Sequence, residues 1–289
     1  MKVLSLFDGI SVGMLALKRA GISVEEYRAY EIDTNAIKIS KKNFPEIIQC
    51  GDVATADFAS MRGGYDLLVG GSPCQSLSIV RSKTRENLDG KSKLFYEYVR
   101  ALNEVKPRWF LFENVASMND ESKQTISKLL GCDPVFIDSA DFSAQQRPRL
   151  YWTNISIEAN HNHSPLVLKD IMQNNIAEKY YYNCDYDFYG LDKSVCATLH
   201  INGHDIIKRV QSPNFKCHTL TAVCGGNHQK KVFDNGRPRK LTPLEYERLQ
   251  TLPDGYTDCV ADTHRYKAIG NSWTTDVITY ILKGLKSKE

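Results

Sequence analysis

Short apolar runs alternate with segments of helical periodicity through the first half of the chain. The predicted strands are residues 3–7, 26–30, 47–48, 65–69, 108–112, 135–137 and 150–152. The predicted helices are residues 11–20, 35–43, 94–105 and 121–130. Apolar strands separated by helices are typical of parallel sheets that are covered on both faces. The pattern up to about residue 156 therefore predicts an α/β fold built on a doubly wound, mostly parallel sheet.

The alternation stops in the second half of the chain. Residues 158–238 are polar, rich in Asn, His, Tyr and Lys, and have no clear helical periodicity. Within them, residues 215–228 mix β-branched side chains with a glycine pair. We expect this stretch to form a second, smaller, β-rich domain.

Helical signals return after residue 238. Thr242 is a predicted N-cap, followed by Pro243 and Glu245, and this helix is expected to run to about Thr251. Another helix is expected after residue 272, with apolar residues at 277, 278, 281 and 282 on one face. We therefore predict a first domain of residues 1–157 that is completed by residues 239–289, and a second domain of residues 158–238.

Composition narrows the class of protein only moderately. A hydrophobic content of 42% and a charged content of 25% are ordinary for a globular protein. The net charge of +3 permits a polyanionic partner without demonstrating one. No apolar run approaches the ~20 residues of a membrane span, and the N-terminus is typical of a first strand rather than a signal peptide.

The 8 cysteines include no C-x-x-C pair. The closest cluster, Cys217 and His218 with Cys224 and His228, lacks zinc-finger spacing, so we predict no metal site. Scattered thiols of this kind favour a reducing, cytoplasmic environment.

Cys74 follows the apolar strand that ends near Val69. Gly70 and Gly71 allow a tight turn, and Pro73 fixes the backbone directly before the thiol. The thiol would then lie at the carboxyl end of a strand, where open α/β sheets place their chemistry. Two interpretations remain open at this point: a nucleophile, or a buried, inert cysteine.

Two other strand ends carry polar or glycine-rich segments. The first strand leads into Phe7-Asp8-Gly9 and then Gly13, a turn that suits close approach of a nucleotide-like ligand. Glu31 comes about 20 residues after this turn, where such folds hold ribose hydroxyls. Asp52 ends the third strand with a further acid.

Glu113, Arg147 and Arg149 also fall at or beside strand ends. Together with Cys74 they suit addition to an electron-poor ring, because the thiolate attacks, the acid contacts a ring nitrogen and the guanidinium binds a carbonyl oxygen. Residues 81–91 are polar and basic. They form either a solvated loop or a closing loop that contacts phosphates.

The chain closely resembles the DNA (cytosine-5)-methyltransferase family in eight stretches that occur in the family's order. The stretches are Phe7-Asp8-Gly9 with Gly13, Glu31-Ile32-Asp33, Gly51-Asp52-Val53, Pro73-Cys74-Gln75, Glu113-Asn114-Val115, Gln145-x-Arg147-x-Arg149, Arg239-Lys240-Leu241-Thr242-Pro243-x-Glu245 and Gly270-Asn271-Ser272. Residues 111–118, with Ser72 and Trp273, look most like the animal de novo branch, whereas the compact size looks bacterial or phage-derived.

The resemblance implies a catalytic set of Cys74, Glu113, Arg147 and Arg149. Cys74 would add to C6 of a cytosine flipped out of the duplex, and Glu113 would contact N3 and the exocyclic amine. Arg149 would bind O2 and brace Glu113, with Arg147 in support. C5 would then accept a methyl group from S-adenosyl-L-methionine.

The resemblance also implies a site for S-adenosyl-L-methionine in the first domain. Its residues would be Phe7, Asp8, Gly9, Ile10, Glu31, Ile32, Asp52, Val53, Pro73, Leu94, Asn271, Ser272 and Trp273. Glu31 would hold the ribose hydroxyls, Ile32 would pack on the adenine, and Asp52 would accept from the adenine amine. Ser72, Asp8 and Ile32 depart from the residues usual in the family at these positions.

Residues 158–238 would be the target-recognition domain. The residues implied to contact DNA are Ser78, Arg81, Lys83, Arg85, Thr219, Thr221, Gly225 and Gly226. Lys230 and Lys231 are either further phosphate contacts or solvated surface.

The implied partner is double-stranded DNA, with no membrane. A cognate restriction endonuclease is left open as a second partner, and a monomer is favoured with a dimer open. The location would be the cytoplasm, at the nucleoid of a bacterial host. Rivals are a tRNA cytosine-5 methyltransferase of the same fold, disfavoured because residues 249–253 lack that branch's Cys-Phe-Thr signature, and an inactive DNA-binding relative.

Overall fold

The computed structural model describes residues 1–72, 94–158 and 163–286. These residues form two compact units. The first unit comprises the described residues within Met1–Asp138, Pro148–Ala159 and Val277–Glu289. The second unit comprises those within Ser139–Arg147 and Asn160–Asp276. The chain therefore enters the second unit twice.

The first unit is built on a seven-stranded sheet. Its strands are β1 (Lys2–Leu6), β2 (Glu26–Tyr30), β3 (Ile48–Gln49), β4 (Leu67–Gly70), β5 (Trp109–Val115), β6 (Val135–Asp138) and β7 (Pro148–Thr153). They are ordered β3-β2-β1-β4-β5-β7-β6. The first five of these are parallel neighbours, and β7 is antiparallel to both β5 and β6. The strand order reverses between β1 and β4, which is where open α/β sheets bind ligands.

Helices in the first unit cover this sheet. They are α1 (Val12–Arg19), α2 (Thr34–Asn43), α3 (Leu94–Val105) and α4 (Asp120–Leu130), with most of α9 (Thr275–Lys283). The core between α3 and the sheet is aromatic: the rings of Tyr98 and Phe112 lie 4.8 Å apart, and those of Phe112 and Trp152 lie 5.9 Å apart. All of β4 is buried, as its apolar sequence predicts.

The second unit contains a five-stranded sheet. Its strands are β8 (Tyr186–Phe188), β9 (Val195–Leu199), β10 (Arg209–Gln211), β11 (Lys231–Asp234) and β12 (Arg237–Lys240), in the order β12-β11-β10-β9-β8. Its helices are α5 (Leu168–Ile171), α6 (Asp205–Lys208), α7 (Pro243–Leu249) and α8 (Asp262–Asn271). A small core of Cys196, Ala197, Leu199 and Val210 packs on the sheet.

The predicted α/β class and the β-rich second sheet are confirmed. The structure differs from the prediction at the ends of two strands and in one additional helix. Glu113 was expected just after β5, but the strand continues through it to Val115. Arg149 was expected before β7, but lies within it. The predicted start of α7 is confirmed, since Thr242 and Glu245 form a reciprocal capping box. Helix α8 was not predicted, because its sequence carries few apolar residues at helical spacing.

No helix in the three described ranges is both long enough and apolar enough to cross a bilayer.

Candidate active site

The turn between β1 and α1 is held in an unusual backbone conformation. Phe7, Gly9 and Ser11 all have positive φ, at 57°, 60° and 62°. Such values cost little for glycine but are strained for Phe and Ser, and they persist only where neighbouring contacts enforce them. One such contact is the main-chain bond from Asp8 N to the carbonyl of Tyr30, at 3.1 Å. The sequence motif therefore encodes a rigid turn at the carboxyl end of β1.

Asp8 supports this turn from inside the unit. Its buried carboxylate accepts hydrogen bonds from Ser5 Oγ at 2.6 Å, Ser11 Oγ at 2.5 Å and Tyr27 Oη at 2.7 Å. Burial raises the pKa of the Asp8 carboxyl, and the three hydroxyl donors oppose that rise. The Asp8 side chain is thus hydrogen-bonded to the turn it precedes, and its predicted cofactor contact stays a prediction.

Glu31 joins the end of β2 to the same turn. One carboxylate oxygen accepts from Gly9 N at 2.8 Å, and the other accepts from the main-chain N–H groups of Ile32 and Asp33, each at 2.8 Å. Carboxylate oxygens have further lone pairs for hydroxyl donors. Glu31 thus fixes the glycine turn and can still meet the two hydroxyls of a ribose.

The surroundings of Glu31 fit an adenosine group. The Ile32 side chain is 72% exposed, although it is large and apolar, and Asp52 is exposed at the end of β3. A Cβ built on Gly9 or on Gly51 would meet no atom within 4 Å, so open space lies over both glycines. These features match the needs of the predicted methyl donor: an apolar surface for adenine, a carboxylate for its amine and free backbone for close approach.

Three other predicted cofactor residues of the first unit pack in or against its core. The Val53 side chain is buried, and Arg100 binds its carbonyl oxygen at 3.1 Å. Ile10 is also buried, so it offers backbone rather than side chain. Leu94 begins α3 and packs, half-buried, against the same core.

Glu113 and Arg149 meet across β5 and β7. Arg149 Nε lies 2.7 Å from Glu113 Oε1, and their side chains are only 12% and 13% exposed. Glu113 pairs with Tyr151 and Val115 pairs with Arg149, so the two charged side chains are diagonal neighbours on one face. Because β7 is antiparallel, its amino end lies beside the carboxyl end of β5. The two predicted groups are therefore brought together as an ion pair.

Asn114, between Glu113 and Val115, is buried. Its Oδ1 accepts from the Val115 N–H at 2.8 Å, whereas its Nδ2 makes no hydrogen bond within the described part of the chain. A buried amide donor at the end of β5, next to Glu113, adds to the polar character of this strand end.

Arg147 has a different place from Arg149. Its buried guanidinium donates to the carbonyl oxygens of Leu220 at 2.8 Å, Gly270 at 3.1 Å and Ser272 at 2.9 Å. These contacts all lie in the second unit. Arg147 thus holds this part of the backbone, and its place in the catalytic set stays a prediction.

Gln145, which the sequence marks only as part of a motif, is buried within the second unit. The fully buried amide donates to the carbonyl of Leu249 and to Gln250 Oε1, both at 3.1 Å, and accepts from Leu220 N at 2.8 Å. In Gln145-x-Arg147-x-Arg149, the first two polar residues therefore tie the second unit together, and only the third pairs with Glu113. The motif can be recognised in the sequence, but only the structure shows which of its residues binds which partner.

The segment after α8 is shaped by these contacts. The Ser272 carbonyl accepts from both Arg147 and Gln250, while Asn271 is exposed and Trp273 is half-buried. Gly270 has no room for a side chain, because a Cβ there would lie 2.3 Å from the carbonyl oxygen of Thr221. Glycine is required at that position by close backbone approach.

Four of the residues predicted to contact DNA, Thr219, Thr221, Gly225 and Gly226, lie in one loop region of the second unit. Thr219 Oγ1 donates to the Gln146 carbonyl at 2.8 Å, and Thr221 is exposed. Gly225 and Gly226 have φ of 134° and 64°, values that favour glycine.

The two lysines that follow this loop are less open than their sequence suggests. Lys231 is only 1% exposed, so its predicted role in phosphate contact or as solvated surface is wrong. Its ammonium binds main-chain carbonyls instead. Lys230 is half-buried, and burial lowers its pKa.

Some predicted residues lie outside the described ranges. These are Pro73, Cys74, Ser78, Arg81, Lys83 and Arg85. Across the described ranges, no three His, Cys, Asp or Glu side chains come close enough to hold a metal ion.

Comparison with known proteins gives concordant results. The family model for C-5 cytosine-specific DNA methylase matches residues 1–287. The type II methyltransferase M1.ScrFI of Lactococcus lactis subsp. cremoris is 29% identical over 296 residues, covering 94% of this chain and 74% of the relative. The orphan methyltransferase M.SPRI of Bacillus phage SPR is 34% identical over 163 residues, covering 52% of this chain and 37% of its own length.

A solved structure shares the fold. The Entamoeba histolytica methyltransferase EhMeth aligns over 100% of this chain and 99% of its own, with a TM-score of 0.77 and 18% identity. The relatives named here do not test the likeness to the animal de novo branch, which stays a prediction.

Proposed function

Because the chain belongs to the C-5 cytosine-specific DNA methylase family, we propose that it acts through a covalent bond between Cys74 and C6 of a flipped-out cytosine. The family fixes the reaction class: the chain is a DNA (cytosine-5)-methyltransferase, and its cofactor is S-adenosyl-L-methionine. The roles of individual residues in this reaction are part of the proposal.

The ion pair of Glu113 and Arg149 carries the proposal. A carboxyl group held by a guanidinium at 2.7 Å is oriented and kept from rotating, as contact with a pyrimidine edge requires. Glu113, carrying a proton, would donate to N3 and accept from the exocyclic amine, which draws electrons from the ring. Arg149 would steady Glu113 and offer its remaining N–H groups to the O2 oxygen.

Cys74 would form the bond that activates the ring. The Cys74 thiolate adds to C6, a sulfur–carbon bond forms, and the electron pair of the C5–C6 double bond moves toward C5. Bound S-adenosyl-L-methionine would supply an electrophilic methyl group to that carbon and leave as S-adenosyl-L-homocysteine. Loss of the C5 proton to a base then restores the double bond and releases the Cys74 thiolate.

Most of the residues proposed to hold the cofactor belong to the first unit. Glu31 would accept from the ribose hydroxyls while it keeps the Gly9 N–H in place, and exposed Ile32 would pack on the adenine. Asp52 would accept from the adenine amine. Pro73, Leu94, Asn271, Ser272 and Trp273 are proposed for the methionine end on the strength of the motifs alone.

Duplex DNA would be bound by the second unit and by the segment after Cys74. Thr219, Thr221, Gly225 and Gly226 are the proposed contacts in the described part, with Ser78, Arg81, Lys83 and Arg85 from the sequence. A type II relative makes a cognate restriction endonuclease a proposed partner. We propose a monomer that works where the host DNA lies, in a bacterial cytoplasm at the nucleoid.

Covalent trapping tests the proposal directly. The purified chain is incubated with S-adenosyl-L-methionine and a duplex in which cytosines are replaced by 5-fluorocytosine, whose C5 fluorine cannot leave as a proton. We expect a denaturation-resistant protein–DNA adduct with the wild type and none with Cys74→Ser. An adduct that survives this substitution would remove Cys74 from the mechanism.

The choice of nucleic acid is tested in parallel. Transfer of labelled methyl groups is measured to duplex DNA and to unmodified tRNA under the same conditions. Transfer to duplex DNA, located by bisulfite sequencing, supports the proposal. Transfer to tRNA alone would replace DNA with RNA as the substrate.

A further inference from the structure

Two lysines contact main-chain carbonyls at and just after the glycine pair Gly225–Gly226 of the second unit. Lys231 Nζ donates to the carbonyl oxygens of Asn227 at 2.6 Å and Gln229 at 3.1 Å. Lys240 Nζ lies 3.5 Å from the carbonyl of Gly226. Three carbonyl oxygens within residues 226–229 are therefore held from one side by two ammonium groups.

The lysines face each other across the hairpin. Lys231 on β11 pairs directly with Lys240 on β12. Like charges at directly opposed positions destabilise an antiparallel pair, and burial adds a desolvation cost for Lys231. An arrangement of this kind persists only where the ammonium groups find strong acceptors, and here the acceptors are the loop carbonyls.

Tyr182 completes the arrangement. Its ring centroid lies 5.6 Å from Lys231 Nζ and 5.5 Å from Lys240 Nζ, within the range of cation–π attraction. Its hydroxyl donates to Asn227 Oδ1 at 3.3 Å, and its N–H binds the Pro238 carbonyl at 3.0 Å. One tyrosine therefore connects both lysines, the hairpin and the loop.

The loop itself has few other restraints. Gly225 and Gly226 have positive φ, and Cys224, Gly226 and His228 are exposed. A glycine-rich segment loses much conformational entropy when it is ordered, so fixed external contacts determine which conformation it adopts. The three carbonyl contacts and the Tyr182 contact supply those restraints.

We propose that Lys231, Lys240 and Tyr182 form a clamp that holds residues 226–229 in the conformation needed to engage DNA. The clamp residues are positioning residues: they act through the loop and do not themselves touch substrate. This inference rests on the proposed function, because only there does the loop face DNA. The buried Lys231 contributes most, since it holds two carbonyls at shorter distances than the one contact of Lys240.

Steady-state kinetics separates positioning from general stability. Lys231→Met should raise KM for duplex DNA roughly tenfold, because it removes both hydrogen bonds from Lys231 Nζ to the loop carbonyls. Lys240→Met and Tyr182→Phe should each raise it about threefold, since each removes one weaker contact. The kcat at saturating DNA and the Kd for S-adenosyl-L-methionine should stay at wild-type values. Lys193→Met is the matched control, because that exposed lysine lies near the Tyr189 ring without a contact to the loop.

Hydrogen exchange tests the clamp without DNA. Amide exchange in residues 226–230 should rise in Lys231→Met and in Tyr182→Phe, and should not change in Lys193→Met. Should Lys231→Met fail to fold, Lys240→Met and Tyr182→Phe decide the question. Wild-type exchange and wild-type KM in the clamp variants would overturn the inference.

The two proposals fail differently. A wild-type chain that transfers no methyl group to DNA would contradict the proposed function, while the exchange measurement would still decide whether the clamp holds the loop. Normal methylation with unchanged KM in all three clamp variants would leave the function standing and refute the clamp.

Discussion

Arg149 Nε lies 2.7 Å from Glu113 Oε1, on one face of two antiparallel strands. A side chain in the middle of a sheet has less freedom than one on a loop, so this pair is held in one geometry. Both partners are mostly shielded from water, which strengthens their attraction and makes each dependent on the other. The Glu113 carboxyl, which we propose contacts the cytosine, is thus held on a strand rather than on a loop.

Removing either member of this pair should abolish methyl transfer while cofactor binding persists. Glu113→Gln and Arg149→Gln should lower kcat by about 100-fold or more, as is typical when a positioned acid or base is lost. The check is transfer of labelled methyl groups together with calorimetric titration of S-adenosyl-L-methionine. Arg108→Gln, at an exposed arginine that stacks on Trp109, should leave both unchanged. Full turnover in Glu113→Gln would contradict the assigned role.

Glu31 should determine cofactor affinity through two sets of contacts. Glu31→Ala removes both the ribose acceptor and the bond to Gly9 N, so Kd for S-adenosyl-L-methionine should rise by about 100-fold, a loss of roughly 3 kcal/mol. Glu31→Gln keeps an amide oxygen for Gly9 N and should lose less. Calorimetric titration checks both variants, with exposed Glu25→Gln as control. Equal affinity in Glu31→Ala and the wild type would place the cofactor elsewhere.

A side chain at residue 270 should disturb the second unit. The Cβ of Gly270→Ala would lie 2.3 Å from the Thr221 carbonyl oxygen, so α8 or the Thr221 segment must move. We expect a loss of about 1–3 kcal/mol in the free energy of unfolding, as for other overpacked sites. Urea denaturation measures it, and His264→Ala, on the exposed face of the same helix, is the control. A Gly270→Ala variant as stable as the control would show that the approach is easily relaxed.

Two arginines on β12 should differ sharply in their effect on stability. Arg239 is fully buried and binds both carboxylate oxygens of Glu245, at 2.7 and 2.8 Å, so Arg239→Ala leaves a buried carboxylate unpaired. The expected cost is about 3–5 kcal/mol. Arg237, paired with Glu178 at the surface, should be replaceable by alanine without measurable change. Urea denaturation of both variants checks the contrast, and equal stabilities would contradict the buried pairing.

Lys231 should give the protein a pH-dependent stability that Lys231→Met lacks. Burial, aided by Lys240 and Lys230, lowers the pKa of Lys231 to about 7 from its usual 10.5. Between these values the unfolded chain binds more protons than the folded chain, so stability rises with pH. The advantage of wild type over Lys231→Met should therefore increase from pH 7 to pH 10 by up to about 1.4 kcal/mol per pH unit. Parallel denaturation curves across this range test it, and a constant difference would contradict the lowered pKa.

The order of strands and helices in the first unit could be predicted from sequence patterns. Strand ends then indicate which residues, distant in the sequence, come close together in the sheet. Parallel strands bring their carboxyl ends to one edge, so Glu31, Asp52 and Glu113 could be grouped without coordinates. The pairing of Glu113 with Arg149 could also be predicted, because both are motif residues and their charges are opposite.

Burial of charged residues was not predictable in the same way. Arg147 and Arg149 are separated by one proline and look equivalent, yet one binds carbonyls in the second unit and the other binds a carboxylate in the first. Lys230 and Lys231 are adjacent, and a charged pair is normally read as surface. Which of the two lysines faces inward depends on the register of β11 and on the carbonyl acceptors near it. Neither the register nor the acceptors can be predicted from the neighbouring residues in the sequence.

Ser139–Arg147 connects two strands of the first unit but belongs to the second. Gln145 and Arg147 within it bind backbone near residues 220, 249 and 270. A recombination event with a single crossover after β7 would take residues 139–147 from one parent and the rest of the second unit from the other. The hydrogen bonds between these two parts would then join residues that do not match. Hybrid enzymes with exchanged target preference should therefore tolerate such a graft only when the donor also contributes its own version of residues 139–147.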